Sequence, residues 1–189
     1  GGTPLAAFYL HHRYSEDLDF FSESEIDLSG LNAFFKQKKN ELGITKIDFQ
    51  QSFNRNLYFL TYKHTTLKTE FTYFPFPRIQ PGKEQFGLQV DSLFDIAVNK
   101  LFTIYQRTKA RDYIDLFMIC QAQGYTISDL LKQARAKFDW HIDPLQLGTQ
   151  FMKATAAEDQ PRMLVNLQSQ VWCNFFLEAA KSFKNEVVE

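Results

Sequence analysis

Apolar residues recur along this chain first in strand-like alternation and later in helical stripes, and the change of period divides it. Near the start, Thr3-Pro4 reads as a helix opening, with Thr3 as N-cap and Pro4 at the first helical position. Leu5, Phe8 and either Tyr9 or Leu10 then line one face of a short helix ending near Arg13. Residues 17–22 (DLDFFS) predict a strand with Leu18 and Phe20 turned into a core. Ser29 is expected to cap a helix through Leu42, with Leu31, Phe34 and Phe35 inward and Gly43 as its stop. Ile47, Phe49 and Phe53 alternate, Asn54-Arg55-Asn56 supplies a turn, and LYFLTY continues as the partner strand. A third strand is expected over 67–74, before the proline-punctuated PFPRIQPG, and a short one over 86–90. The period then becomes helical, over 92–107, 111–122, 128–138, 143–155 and 161–185, punctuated by Gly124, Pro144 and Pro161. The expected class is α+β: a small mixed β-sheet core over 1–90 and a helical C-terminal half over 91–189 packed on it.

Composition narrows the class only a little. A chain of 189 residues with 44% hydrophobic and 23% charged residues can bury a sizeable core. The 20 phenylalanines read as a large aromatic core. No apolar run approaches the roughly 20 residues of a membrane helix, and no signal peptide is visible, so a cytoplasmic protein is expected. Cys120 and Cys173 fall in apolar helical segments, read as buried thiols. The net charge of −1 is not that of a strong non-specific nucleic-acid binder. Basic clusters at Lys36–Lys39 and at Arg135 and Lys137 read as solvated helix faces, whereas the one at Arg107, Lys109 and Arg111 is open to a phosphate role.

Candidate chemistry starts from Asp17 and Asp19. Residues two apart on a strand project from one face, and two such carboxylates attract a cation; Mg²⁺ takes carboxylate oxygens together with substrate phosphates. Asp-x-Asp alone is also a common solvated turn. In LKTEFTYF, Leu67, Thr69, Phe71 and Tyr73 share one strand face and Lys68, Glu70 and Thr72 the other, which puts Glu70 on the open face or paired with Lys68. Lys100 falls within the helical stripe of Ile96, Leu101, Ile104 and Tyr105, where its ammonium needs an anion or must snorkel to solvent. No protein carboxylate is expected near enough to neutralise it. Asp112 and Asp115 fall in the first turn of the next helix, where acids stabilise the dipole. His11 and His12 diverge by about 100° on a helix and make no chelating pair, and His64 and His141 read as surface residues.

The segments GGTPLAAFYLHHRYSEDLDFFS and LFDIAVNKLFTIYQRTKARDYIDLFMI (93–119), in that order around a β-rich middle, resemble the nucleotidyltransferase family of AbiEii/AbiGii-type toxins, within the DNA polymerase beta-like superfamily. The resemblance covers residues 1–119. It implies transfer of an NMP from an NTP to an acceptor hydroxyl with Mg²⁺ or Mn²⁺, with the tRNA 3′ end as an acceptor and a cognate antitoxin as partner. It further implies metal ligation by Asp17, Asp19 and Glu70, and places Lys100 and Asp112 in the catalytic centre. Gly1, Gly2, Thr3, Ser15, Lys100 and Arg111 are then expected to bind the triphosphate, with Asp115 structural. The alternatives are a small-molecule or protein acceptor, or a catalytically silent nucleotide-binding or interaction module. Superfamily members carry a hydrophobic strand before the glycine pair. These residues begin at Gly1, and a different completion of the sheet or a shortened chain would account for that.

Overall fold

In the computed structural model, residues 1–186 are described, the last three of them by backbone alone, so the end of the expected 91–189 half lies outside the described residues. In chain order the elements are α1 (Gly2–Pro4, running on as π-helical turns over Leu5–Leu10), β1 (Asp17–Ser22), α2 (Leu28–Lys38), β2 (Lys46–Ser52), β3 (Arg55–Thr61), β4 (Thr66–Tyr73), β5 (Lys83–Gln85) and β6 (Leu88–Val90). There follow α3 (Leu93–Gln106), α4 (Ala110–Gln123), α5 (Ile127–Phe138), α6 (Pro144–Met152) with a 3₁₀ turn (Lys153–Ala156), and α7 (Ser169–Glu186). The mixed sheet with helices, followed by a helical C-terminal half, is the α+β arrangement expected. The chain forms two compact units: Gly1 with Ser15–Pro77, and Gly2–Tyr14 with Arg78 onward.

The first unit is a four-stranded sheet in the order β1-β4-β3-β2, with β1 parallel to β4 and the other pairs antiparallel. Alternation drives it: Asn56, Tyr58 and Leu60 are buried along β3 while Leu57 and Phe59 are half-buried on the other face. α2 covers the Tyr58 face, where Phe35, Ile44, Tyr58 and Leu60 form a core with Leu31, Ile47 and Phe71 against it. Phe35 lies 4.7 Å from the Tyr58 ring, and the Tyr58 hydroxyl donates to Asn32. Asp27, not Ser29, caps α2, because its carboxylate is placed to accept the Gly30 N–H at 2.9 Å. The helix stops at Lys38, four residues earlier than Leu42, and Phe34 is 48% exposed rather than inward. Phe53 is not a strand residue either. Ser52 pairs with Arg55, so Phe53-Asn54 is a two-residue turn with Phe53 at φ 50° and almost fully exposed.

In the second unit, Thr3 lies inside the first turn, since the helix already begins at Gly2. α3, α5 and α6 begin where Ser92, Thr126 and Asp143 accept hydrogen bonds from Asp95, Asp129 and Gln146 backbone N–H groups. The aromatic core here joins Tyr113 of α4, Phe151 of α6 and Trp172 and Phe176 of α7, with ring centroids 5.0–6.1 Å apart. Lys137, expected on a solvated face, is buried: its ammonium lies 2.8 Å from Asp95, which also accepts the Ile79 and Gln80 N–H groups and the Ser92 hydroxyl. The helix expected over 161–185 starts only at Ser169. Upstream of it Met163 bridges to Arg13, Tyr14 N–H donates to Arg162, and Leu164 N–H donates to His12, so tertiary pairing overrides the helical pattern. Cys120 and Cys173 are buried, unpaired thiols, and burial pushes the Cys120 thiol up to about 12. Among the described residues no helix is long and apolar enough to cross a membrane.

Candidate active site

On the sheet face away from α2, register sets charged residues side by side. Asp17 pairs with Lys68 and Asp19 with Glu70 across β1 and β4, and Arg55 stands two residues along β3 from the position opposite Glu70. The Lys68 ammonium lies 3.2 Å from Asp17 and 3.7 Å from Glu70. Asp17 and Asp19 are both partly accessible, on one face as alternation requires. Gly1 lies against the same strand, since a Cβ there would come within 3.6 Å of an Asp19 carboxylate oxygen.

Glu70 is not on an open surface. It is 6% exposed, and the Arg55 guanidinium grips both its oxygens, Nε at 2.6 Å and Nη2 at 2.7 Å, while Thr72 donates a third hydrogen bond. Burial alone would raise its pKa, but the bonds from Arg55 and Thr72 outweigh that and leave it lowered. Glu70 is therefore held as a carboxylate with both oxygens taken. Among the described residues no three Asp, Glu, His or Cys side chains are grouped as a metal cage. The Asp17–Asp19 pair still suits a hard divalent cation, because Mg²⁺ is commonly held by one or two carboxylates with substrate phosphates supplying other ligands.

The second block of expected residues forms a buried ion cluster between α3 and α4. The Lys100 ammonium sits 2.7 Å from both Asp112 and Asp115, so the expectation that no carboxylate would neutralise it is corrected. The reason is helical geometry: Lys100 on α3 faces the start of α4, where Asp112 in the first turn and Asp115, three residues on and past the first turn in which it was expected, are both buried on one side. Arg107 completes Asp112, with contacts of 3.0 Å to Oδ2. Arg13 clasps Asp115 through Nε at 2.6 Å and Nη2 at 2.8 Å, and His12 Nε2 adds a contact at 2.8 Å. Burial would raise the Asp115 pKa; Lys100, Arg13 and His12 outweigh it and hold the group well below the usual carboxylate range. Gly2 is fitted to this cluster, because a Cβ there would meet Arg13 Nη2 at 2.6 Å, and that guanidinium is pinned by Asp115.

Of the other expected residues, Ser15 lies two positions before β1, Thr3 in the first turn of α1 and Arg111 at the second position of α4, all half-buried. Sequence reasoning missed Arg55, His12, Arg13 and the keystone position of Asp115. Only Arg55 had a usable signal, since counting along a β3–β4 hairpin places it one diagonal from Glu70.

The model of the family described as nucleotidyl transferase AbiEii toxin, type IV TA system, matches residues 1–180. The chain belongs to that family. Its AbiEii assignment agrees with the order of the two motif blocks and with the fold. The chain is 26% identical over 140 residues to the uncharacterized protein aq_aa25 of Aquifex aeolicus, a match that covers 73% of this chain and 64% of that protein, less than two thirds of its length. The fold is shared with the crystal structure of JHP933 from Helicobacter pylori, at TM-score 0.59 and 20% identity over 98% of this chain and 82% of that one. A second H. pylori structure aligns equally well, at TM-score 0.59 and 21% identity, over 100% and 87% of the two chains.

Proposed function

We propose that this AbiEii-family chain is a metal-dependent nucleotidyltransferase that moves an NMP from an NTP to an acceptor hydroxyl, with the tRNA 3′ end as acceptor and a cognate antitoxin as its partner. The observation that carries the reading is the Asp17–Asp19 pair, two partly accessible carboxylates on one strand face with Gly1 beside Asp19. Asp17 and Asp19 are the residues that would hold Mg²⁺ or Mn²⁺. Such a cation supplies charge neutralisation at the phosphates and lowers the pKa of a nearby hydroxyl. The backbone at Gly1, Gly2 and Thr3, the Ser15 hydroxyl and Arg111 are assigned to the triphosphate on the family pattern.

In the reaction the acceptor oxygen bonds to the α-phosphorus, the bond from that phosphorus to the bridging oxygen breaks, and pyrophosphate leaves with the electron pair. Glu70, gripped by Arg55, is a poor acceptor for the hydroxyl proton, which passes to solvent. Its contribution is to fix Arg55 on the same face as the acidic pair. Lys100 and Asp112 act as members of one fixed charge array with Asp115, Arg13 and Arg107 rather than as a lone cation awaiting phosphate.

Incubation with each α-labelled NTP, Mg²⁺ and total RNA tests the reading: label is expected in tRNA-sized product, and label confined to protein or small molecules would redirect it. A second reading, a silent nucleotide-binding module, is supported by the cations already on these acids, the Lys68 ammonium 3.2 Å from Asp17 and the Arg55 guanidinium on both oxygens of Glu70. It predicts NTP binding without transfer to any acceptor.

A further inference from the structure

We infer that β2 is a self-association edge, and that its occupant is β2 of a second copy of this chain, paired antiparallel about Phe49. β2 stands at one end of the sheet order β1-β4-β3-β2, and among the described residues its strand neighbour is β3 alone. An edge strand presents a row of unpaired N–H and C=O groups, which proteins blunt with bulges, prolines or uncompensated charge. β2 carries none of these devices. Its seven residues pair one for one with β3, none of them is proline, and its two charges, Lys46 and Asp48, neutralise each other at 2.8 Å.

The hairpin fixes which backbone groups are free. The two-residue turn at Phe53-Asn54 makes Ser52 and Arg55 the closing hydrogen-bonded pair. Bonding alternates from there, so Ser52, Gln50, Asp48 and Lys46 turn their backbone groups to β3, while Ile47, Phe49 and Gln51 turn theirs outward. A register centred on Phe49 pairs all three outward residues: Phe49 meets Phe49 of the second copy, and Ile47 meets Gln51 on each side. It sets Asp48 opposite Gln50 and Lys46 opposite Ser52, with no like charges opposed. Centring on Asp48 would oppose two carboxylates, which is destabilising. Centring on Ile47 would call on Thr45, whose N–H is already given to Thr61. Centring on Gln50 would run Ile47 into the turn at Phe53.

Exposed apolar residues gather along the same edge. Phe49 is exposed, with its ring 4.9 Å from that of Tyr58, and Phe34 is exposed against Phe35, which itself lies 4.7 Å from Tyr58. Leu42, just before β2, is exposed as well. Phe53 is 98% exposed and holds φ 50°, a left-handed conformation that costs a phenylalanine and gains it no burial within its own chain. In the Phe49-centred register, Phe53 of one copy falls opposite Thr45 of the other, at the end of β2 that follows Leu42. The pairing thus supplies the apolar cover that a single chain leaves out, and its two-fold axis through Phe49 closes the assembly at two copies.

The test uses the full chain, with mass measured by light scattering after gel filtration over a micromolar concentration series. Wild type should run at twice 22.1 kDa and dissociate on dilution. Phe49→Lys and Phe49→Glu should each be monomeric, because like charges meet at the axis, and an equimolar mixture of the two should recover the dimer. Under mild oxidation Phe49→Cys should cross-link to its own copy, since the Cα atoms of a bonded antiparallel pair lie about 5.5 Å apart. Gln51→Cys, about 14 Å from its copy in this register, should not, and the native Cys120 and Cys173 are buried. Should a charge variant fail to fold, the cross-linking pair decides alone. A wild-type monomer throughout the series overturns the proposal and leaves the edge to another partner. So does a dimer that survives both charge variants, a mixture of folded variants that stays monomeric, or cross-linking of Gln51→Cys as fast as that of Phe49→Cys.

Discussion

Replacing Lys100 with methionine keeps the length and packing of the side chain and deletes the charge that two buried carboxylates share. Asp112 and Asp115 are 1% and 0% exposed, and each lies 2.7 Å from the ammonium. After the substitution Asp115 keeps Arg13 and His12, and Asp112 keeps Arg107, so neither is stranded. The loss should then fall near the low end of what breaking a buried pair costs, about 3 kcal/mol. For a chain of this size that corresponds to a melting temperature lower by roughly 6–12 °C. Urea melts at neutral pH measure it directly. The sign of its pH dependence is fixed as well. Lys100 lowers the folded-state pKa of Asp115, so its contribution is present above the ordinary carboxylate pKa and is lost as pH falls through the lowered one. The gap between wild type and variant should therefore be largest near pH 7 and narrow in acid. A variant as stable as wild type at pH 7, or a gap that widens in acid, would refute the view of Lys100 as a shared counter-ion.

Other outcomes follow from the same geometry. Asp17→Asn and Asp19→Asn should abolish transfer with Mg²⁺ while melting within about 1 kcal/mol of wild type, because both side chains are partly accessible; near wild-type turnover in either would remove it from the metal site. Leu18 is half-buried whereas Leu60 is 4% exposed, so Leu60→Ala should cost on the order of 2–5 kcal/mol and Leu18→Ala clearly less, read by denaturant melts; the reverse order would contradict the packing of the sheet. Wild-type stability should fall below about pH 4, because Glu70, Asp95 and Asp115 all have lowered pKa values in the fold; a chain as stable at pH 3 as at pH 7 would count against these pairings.

The strands were legible because period-2 alternation survives in DLDFFS and LYFLTY and fixes which face each side chain takes. The cap of α2 was misread because Asp27 and Ser29 are both good N-caps and only the backbone decides between them. The start of α7 was misread because Met163 and Leu164 continue an apolar stripe yet serve a bridge to residues 12–14. Lys100 could be recognised as inward from its stripe, but its partners could not be recognised. Asp112 is 12 residues away across a helix turn and Arg13 is 102 residues from Asp115, separations at which pattern carries no information. Lys137 fails for the same reason, since its counter-ion Asp95 is 42 residues back.

The clasp of Arg13 on Asp115 carries a consequence for synthesis. Ser15–Pro77 lies wholly between the two pieces of chain that the clasp joins. That sheet unit has all its strands in hand once residue 77 has left the ribosome, whereas residues 2–14 must wait for α4 before His12 and Arg13 meet their acid. At a synthesis rate of about 5–20 residues per second, the interval is several seconds during which residues 2–14 await their partners on α4. A chain assembled in that order closes its buried charge cluster only after α4 is made, which leaves a window for any factor that binds residues 2–14 to act before Arg13 and His12 close on Asp115.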